Sequence, residues 1–430
     1  MPRLHVRHER HQHAVGHGFF HTASVHLVDQ GNSFEYVYDV GAKKRSEVLA
    51  PIVDEYASLL GARAIDMVVL SHLHDDHVSG LDRLLLNCKV RTVVLPYVDP
   101  VEKLILVAAT IVAGNADASA VQFAMDARTW LTTRGVDRVL EISPGPPGQE
   151  SNPDQQAADA PPDVPPPDWR LTKGKPTTRN ADPGEPASTE TIPHGTPLIL
   201  GLGTDPVWEF KFFCYRDAEL WEEFATEVAR LFKVSVAKLP SVVKGTWVLE
   251  QLRSNPLARS NLTKAYAKVV GKGRLNWTSL CLWSGPGTMP DRVHWATHEY
   301  AHGGTPGKRK ASDDEGRVAW LGTGDAELSD PAVADALVKH YAPLSARYRL
   351  ASMALPHHGS KHNYNAMLLR ELDPVLVYAT CPEAKEGVTQ KHPAPEVERQ
   401  VAKWRGMPLM RIDQADANGL HEWVRVYAYP

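Results

Sequence analysis

The chain has 430 residues, 43% hydrophobic and 23% charged, enough apolar content for one large core or two smaller ones. A formal net charge of −4 gives no global attraction to nucleic acid or to an anionic membrane. Cys88, Cys214, Cys281 and Cys381 form no C-x-x-C pair, so neither a zinc ribbon nor a disulfide framework can be read from them. The N-terminus lacks an apolar leader core, and no stretch approaches the ~18 consecutive apolar residues of a membrane span, which predicts a cytoplasmic protein with no membrane partner.

Ser24 to Leu27 and Phe34 to Tyr38 are β-rich and flank Asp29-Gln30-Gly31-Asn32, whose turn residues fit a hairpin. Ser46 can cap a helix carrying Val48, Ile52, Val53, Tyr56 and Leu60 at helical spacing, stopped by Gly61. Ile65 to Leu70 is a nearly continuous apolar run of the kind that forms a buried strand. Asp82 to Leu86 reads as a short helix and Val90 to Leu95 as another buried strand. This order predicts an α/β layer fold with its chemistry at a strand's C-terminal edge.

The character changes from Ser143 to Pro197, which holds 14 of the chain's 33 prolines and few large apolar residues. Residues 141–200 therefore read as a linker or surface excursion, with Pro165-Pro166-Pro167 locally extended. Ala218 to Phe232 is an amphipathic helix and Pro256 to Val270 a second one, which makes residues 201–275 a helical insertion. It separates residues 1–140 from 276–430, the two halves of one catalytic domain. Ser279 to Trp283, Val318 to Leu321 and Val375 to Ala379 read as strands of the second half, and Gly303 to Gly316 as a basic loop.

Directly after the Ile65 strand, Ser71-His72-Leu73-His74-Asp75-Asp76-His77 packs three imidazoles and two carboxylates into one tight turn. Such a cluster is costly unless a divalent cation organises it. His72 and His74, two residues apart on an extended turn, point to one side, and Asp76 and His77 follow as the helix starts. The two pairs can then face two metals a few Å apart, as a two-metal hydrolase requires. His5, His8, His11, His13, His17 and His21 fit no single ligand face, and only His17 is a candidate cleft residue.

These residues resemble the metallo-β-lactamase superfamily signature, and further motifs resemble the branch that contains the hydrolase domain of ComEC and the phosphorylcholine esterases. Val15-Gly16-His17-Gly18 and Tyr38-Asp39-Val40-Gly41 look like its opening V-G-x-G and D-x-G. Ser71 to Gly80, Thr323-Gly324-Asp325, His357-His358-Gly359-Ser360 and His392-Pro393 follow in the branch's order. The resemblance covers about residues 14–100 and 276–425. Most superfamily members carry a further histidine before the bridging aspartate; here His294, His298 and His302 lie in that interval, in surroundings that read as a loop.

The resemblance implies a four-layer αββα sandwich with an inserted Pro-rich and helical segment. It implies that His72, His74, Asp76, His77 and His358 are metal ligands and that Asp325 bridges two divalent ions, zinc or else manganese. His357 would stand near the substrate, although spacing alone does not order His357 and His358. His392 is either a last ligand or a contact to the leaving group, and Glu327 is a candidate for the outer shell or for proton transfer. The implied activity is that of a binuclear metallohydrolase, a phosphodiesterase or nuclease in which the metals and Asp76 organise an attacking water. The same centre also suits an ester, lactone or lactam hydrolase. A third reading is an effector subunit of a defence-type system, in which residues 141–275 bind a protein partner that regulates the hydrolase.

Overall fold

The structure is a computed structural model that describes residues 4–98, 103–104, 106–107, 118–144, 170–173, 189–202, 205–215, 218–239, 255–269, 279–287, 293–303, 309–312, 317–347, 349–383, 392–406, 409–415 and 419–428. The expected hairpin is present, with β2 (Gly18–Leu27) and β3 (Asn32–Ala42) pairing antiparallel. Ahead of them β1 (Leu4–Gln12) pairs with β2 on one side and with the last strand on the other, Leu4 opposite Ala428. The two ends of the chain therefore share one sheet.

The other strands in chain order are β4 (Ile65–Val69), β5 (Val90–Pro96), β6 (Arg138–Ser143), β7 (Arg170–Lys173), β8 (Thr189–Pro193), β9 (Leu198–Leu202) and β10 (Asp205–Cys214). After these come β11 (Leu280–Pro286), β12 (Val293–His302), β13 (Arg309–Ser312), β14 (Arg317–Gly322), β15 (Arg349–Ala354), β16 (Leu376–Thr380), β17 (Met410–Ile412) and β18 (Leu420–Ala428). Ten of them form one sheet in the order β13-β12-β18-β1-β2-β3-β4-β5-β6-β8, and eight form a second in the order β17-β16-β15-β14-β11-β10-β9-β7. Each sheet has a parallel part, β3 to β8 in the first and β14 to β17 in the second. Parallel strands are covered on both faces, which is why β4 and β5 are short, nearly continuous apolar runs.

The inner faces of the sheets meet in one core that includes Tyr36, Met67 and Val94 from the first and Trp208, Phe210 and Trp320 from the second. Helices α1 (Ala50–Leu60), α2 (Asp75–Val78), α3 (Leu81–Asn87), α4 (Ala118–Met125) and α5 (Ala127–Thr132) follow the strands of the first half. Helices α6 (Ala218–Phe232) and α7 (Pro256–Val269) lie in the middle of the chain, and α8 (Pro331–Arg347), α9 (Met367–Leu372) and α10 (Pro395–Arg405) in the second half. Val53, Leu84, Trp130, Phe224 and Leu262 bury the outer face of the ten-stranded sheet, and Leu337, Leu368 and Val397 that of the other. The result is the expected four-layer αββα sandwich. Among the described residues no helix is long and apolar enough to cross a membrane.

Several local expectations change. Within residues 141–275, β7 to β10 are strands of the two sheets, and α6 and α7 pack on the ten-stranded one. The alternation of Trp208, Phe210 and Phe212 with Glu209 and Lys211 is a period-two pattern that marks β10 as a strand. Pro165-Pro166-Pro167 lie outside the described residues. The stretch with His298 and His302 is not a loop but β12, and within residues 303–316 Arg309–Ser312 forms the edge strand β13. Both read as loops because they carry few large apolar residues, a common trait near a sheet edge.

Candidate metal centre

Most of the chemical motifs of the sequence lie at or just beyond the end of a strand. Asp39 is near the end of β3, His72 to His77 follow β4, Asp325 follows β14, and His357 and His358 follow β15. Parallel strands that end side by side place their following loops together, so residues nearly 300 positions apart meet at one edge of the sandwich.

Asp325 is the meeting point. Its Oδ1 lies 3.2 Å from Nε2 of His77, and its Oδ2 lies 3.6 Å from Nε2 of His72 and 3.7 Å from Nε2 of His357. Donor atoms within 4.8 Å of one another form three groups among the described residues. One is His72, Asp76 and His77; another is His77, Asp325 and His358; the third is His17, Asp76 and His358. His74 packs its ring against His72 at 4.9 Å, edge to face. His392 stacks on His357 with ring centroids 5.3 Å apart. Glu327 is half-buried two residues beyond Asp325 and joins none of the three groups.

Neighbouring polar groups fix the proton on several of these rings. The Asp39 carboxylate accepts from the Ser71 backbone N–H and hydroxyl, both at 2.6 Å, and from Nδ1 of His77 at 2.7 Å. The hydroxyl proton of Ser71 is thereby committed, so its oxygen can only accept from Nδ1 of His72, 2.9 Å away. In their neutral forms both imidazoles then carry the lone pair on Nε2, the atom that faces Asp325. Asn363 does the same for His357: its amide nitrogen donates to the Asp325 and Ala326 carbonyls, and its oxygen takes Nδ1–H of His357 at 3.0 Å. The Thr380 hydroxyl, 2.8 Å from Nδ1, orients His358. The sequence alone carries no sign of the roles of Asn363, Thr380 and Ser71, since a lone hydroxyl or amide has no spacing signal.

The donor set fits divalent cations. Nε2 atoms of His72 and His358 are buried and have no hydrogen-bond partner among the described residues, a cost that ligation removes. Burial holds His72 and His358 well below the ordinary histidine range, which favours the neutral, ligating form. Burial opposes charge on His77 too, but Asp325 and Asp39 outweigh it and raise this group well above the usual range, so cation binding must displace a proton here. Burial would also raise Asp325 and Asp76. The charges of His357 and His77 hold the first well below the carboxylate range, and the hydrogen bond from His17 with the charge of His77 holds the second there.

The backbone is built for close approach. A side chain on Gly41 would collide with the Asp76 carbonyl and the His77 nitrogen, so β3 touches the metal loop directly. His357 and His358 have φ of 46° and 55°, a left-handed conformation costly for residues with a Cβ and concentrated at functional sites.

Residues 18–104 match the family model of the metallo-beta-lactamase superfamily. The match includes Asp39 and the His72 to His77 loop and ends before Asp325. No curated protein matches the chain. Together with the two-sheet sandwich and the clustered donors, the match supports a metal-dependent hydrolase in general.

Proposed function

We propose that the protein is a dinuclear phosphodiesterase acting on nucleic acid or a nucleotide, with zinc as its metal. The observation that carries the reading is the position of Asp325, one carboxylate facing imidazoles of the early motif on one oxygen and of both motifs on the other. A carboxylate so placed suits a bridge between two cations. His72, His74 and Asp325 would hold one, and Asp76, His77, His358 and Asp325 the other. Bound there, the cations would lower the pKa of an attacking water and offset charge on a phosphoryl oxygen.

The chain's own residues supply the rest. With Nδ1–H donating to Asn363, the neutral form of His357 would present a lone pair at Nε2 that could take a proton from the attacking water. Burial lowers His392 to about 4 and so holds it neutral. Stacked on His357, it is placed to contact the leaving oxygen. Lys43, with its side chain 60% exposed and its Nζ 3.9 Å from Asp76, offers a mobile cation for the phosphate.

Zinc-loaded protein and its Asp76→Ala variant should be assayed against bis-p-nitrophenyl phosphate, DNA, RNA and nucleotides, beside p-nitrophenyl acetate and lactones. Phosphodiester cleavage that Asp76→Ala abolishes is expected. Turnover confined to the esters or lactones would overturn the reading.

A further inference from the structure

We propose that His17 is itself a metal ligand, its Nε2 joining Asp76 and His358 around the second cation. This rests on the dinuclear reading above and names a donor from an element none of the other ligands uses, the turn between β1 and β2.

The donor atoms of His17, Asp76 and His358 lie within 4.8 Å of one another, the same closeness that groups His72 with Asp76 and His77. Nε2 of His17 is 3.4 Å from Oδ2 of Asp76, and its ring is 4.8 Å from that of His358. An ordinary ion pair with Asp76 explains only part of this. Such a pair leaves Nε2 of His358 buried without a hydrogen bond among the described residues, in a side chain whose other nitrogen is already held by Thr380. It also adds a second cation to a carboxylate that already has Lys43 nearby. One divalent ion among the three groups satisfies all of them, because each then presents a lone pair rather than a proton.

The backbone holds His17 in place for this. Its carbonyl accepts from the Lys43 N–H at 2.9 Å, just past the end of β3. A Cβ on Gly18 would strike the Gly41 carbonyl and Ala42, and one on Gly41 would strike the Asp76–His77 peptide. A seam without side chains therefore joins the His17 turn, β3 and the metal loop. The His17 side chain is 21% exposed, which puts this ligand at the mouth of the centre, where an ion can enter.

The test is zinc stoichiometry and affinity by equilibrium dialysis and chelator competition on wild type, His17→Gln and His17→Ala, with melting of the metal-free forms as a fold control. Glutamine can still hydrogen-bond Asp76 but has no imidazole lone pair. Two equivalents in the wild type are expected, with the second lost or weakened ~10–100-fold in both variants. His17→Gln binding two equivalents at wild-type affinity would overturn the assignment while leaving the dinuclear reading intact. A wild type holding one equivalent overturns both. If a variant misfolds, carbethoxylation of wild-type His17, read by peptide mass spectrometry, decides: zinc protects the ring if it ligates, and equal labelling with and without zinc refutes it.

Discussion

Asp39 takes the Nδ1 proton of His77 at 2.7 Å from a left-handed backbone position, φ 57°, and in doing so points the other nitrogen of His77 at Asp325. Asparagine tolerates that backbone, so Asp39→Asn tests the carboxylate alone. The Ser71 N–H meets Oδ1 and cannot reverse, so the amide keeps its oxygen there and turns N–H donors on the Ser71 hydroxyl and Nδ1 of His77, both of which must reverse. If His77 flips its proton to Nε2, its ligating lone pair is lost. Zinc affinity should fall ~10–100-fold with the fold retained. Unchanged affinity in a chelator titration would refute the role given to Asp39.

Replacing Asp325 by asparagine leaves a half-charge dipole where His72, His77 and His357 converge. Loss of at least one zinc equivalent and a fall in kcat of roughly 10²–10³-fold or more are expected. Metal analysis and steady-state kinetics on the same preparation check both. Chelation of the wild type should lower its melting temperature, since an ion bound only by the folded state stabilises it.

Gly41→Ala would push β3 away from the metal loop, because the added methyl has no room beside the Asp76–His77 peptide. Overpacking against backbone costs ~1–3 kcal/mol, and the shift should disturb the Asp76 and His77 positions as well. Thermal melting of the metal-free protein reports the first effect and zinc affinity the second. A variant normal in both would show that the loop can yield.

Acid stability should trace groups far from the metal. His21 is fully buried, stacked on Trp320 at 4.2 Å, and neither ring nitrogen has a hydrogen-bond partner among the described residues. Burial lowers it from 6.5 to about 3, so the unfolded chain binds this proton first and stability is lost as pH falls from 6.5 toward 3. Burial opposes the charge on Glu422, but Arg10 at 3.0 Å, with His298 and Ser352, holds it at about 2 against 4.5 unfolded. Its contribution is present above pH 4.5 and is lost between 4.5 and 2. His21→Phe should keep the stacking and make the decline between pH 6.5 and 4.5 shallower by about 1.4 kcal/mol per pH unit. Denaturant unfolding across that range would show an unchanged slope if His21 does not titrate as described.

Asn363→Leu should free Nδ1 of His357 while leaving every proposed ligand side chain in place. Because the amide also ties down the Asp325 and Ala326 carbonyls, a modest stability loss of ~1–3 kcal/mol accompanies it. The expected signature is a kcat reduced more than KM is raised, with zinc content intact. Loss of zinc instead would mean that Asn363 acts through Asp325.

What the sequence determined is whatever is local. The His72 to His77 cluster is seven residues of contiguous chemistry, and the runs at β4, β5 and β14 are short and apolar, so a metal site at a strand end in an α/β layer fold could be read directly. The later motifs were placed by order and resemblance. Only the tertiary structure brought Asp325, His357 and His358 onto the early loop, set the ring protons through Asp39, Ser71 and Asn363, and placed His17, a candidate cleft residue by sequence, beside Asp76. It also decided the pairing of β1 with β18. Those strands carry His8, Arg10, Gln12 and Glu422 inward, which reads as polar surface until Arg10 meets Glu422 across 412 positions of chain. Such partners are invisible to periodicity because burying a charge depends on what faces it, and what faces it is set by the fold.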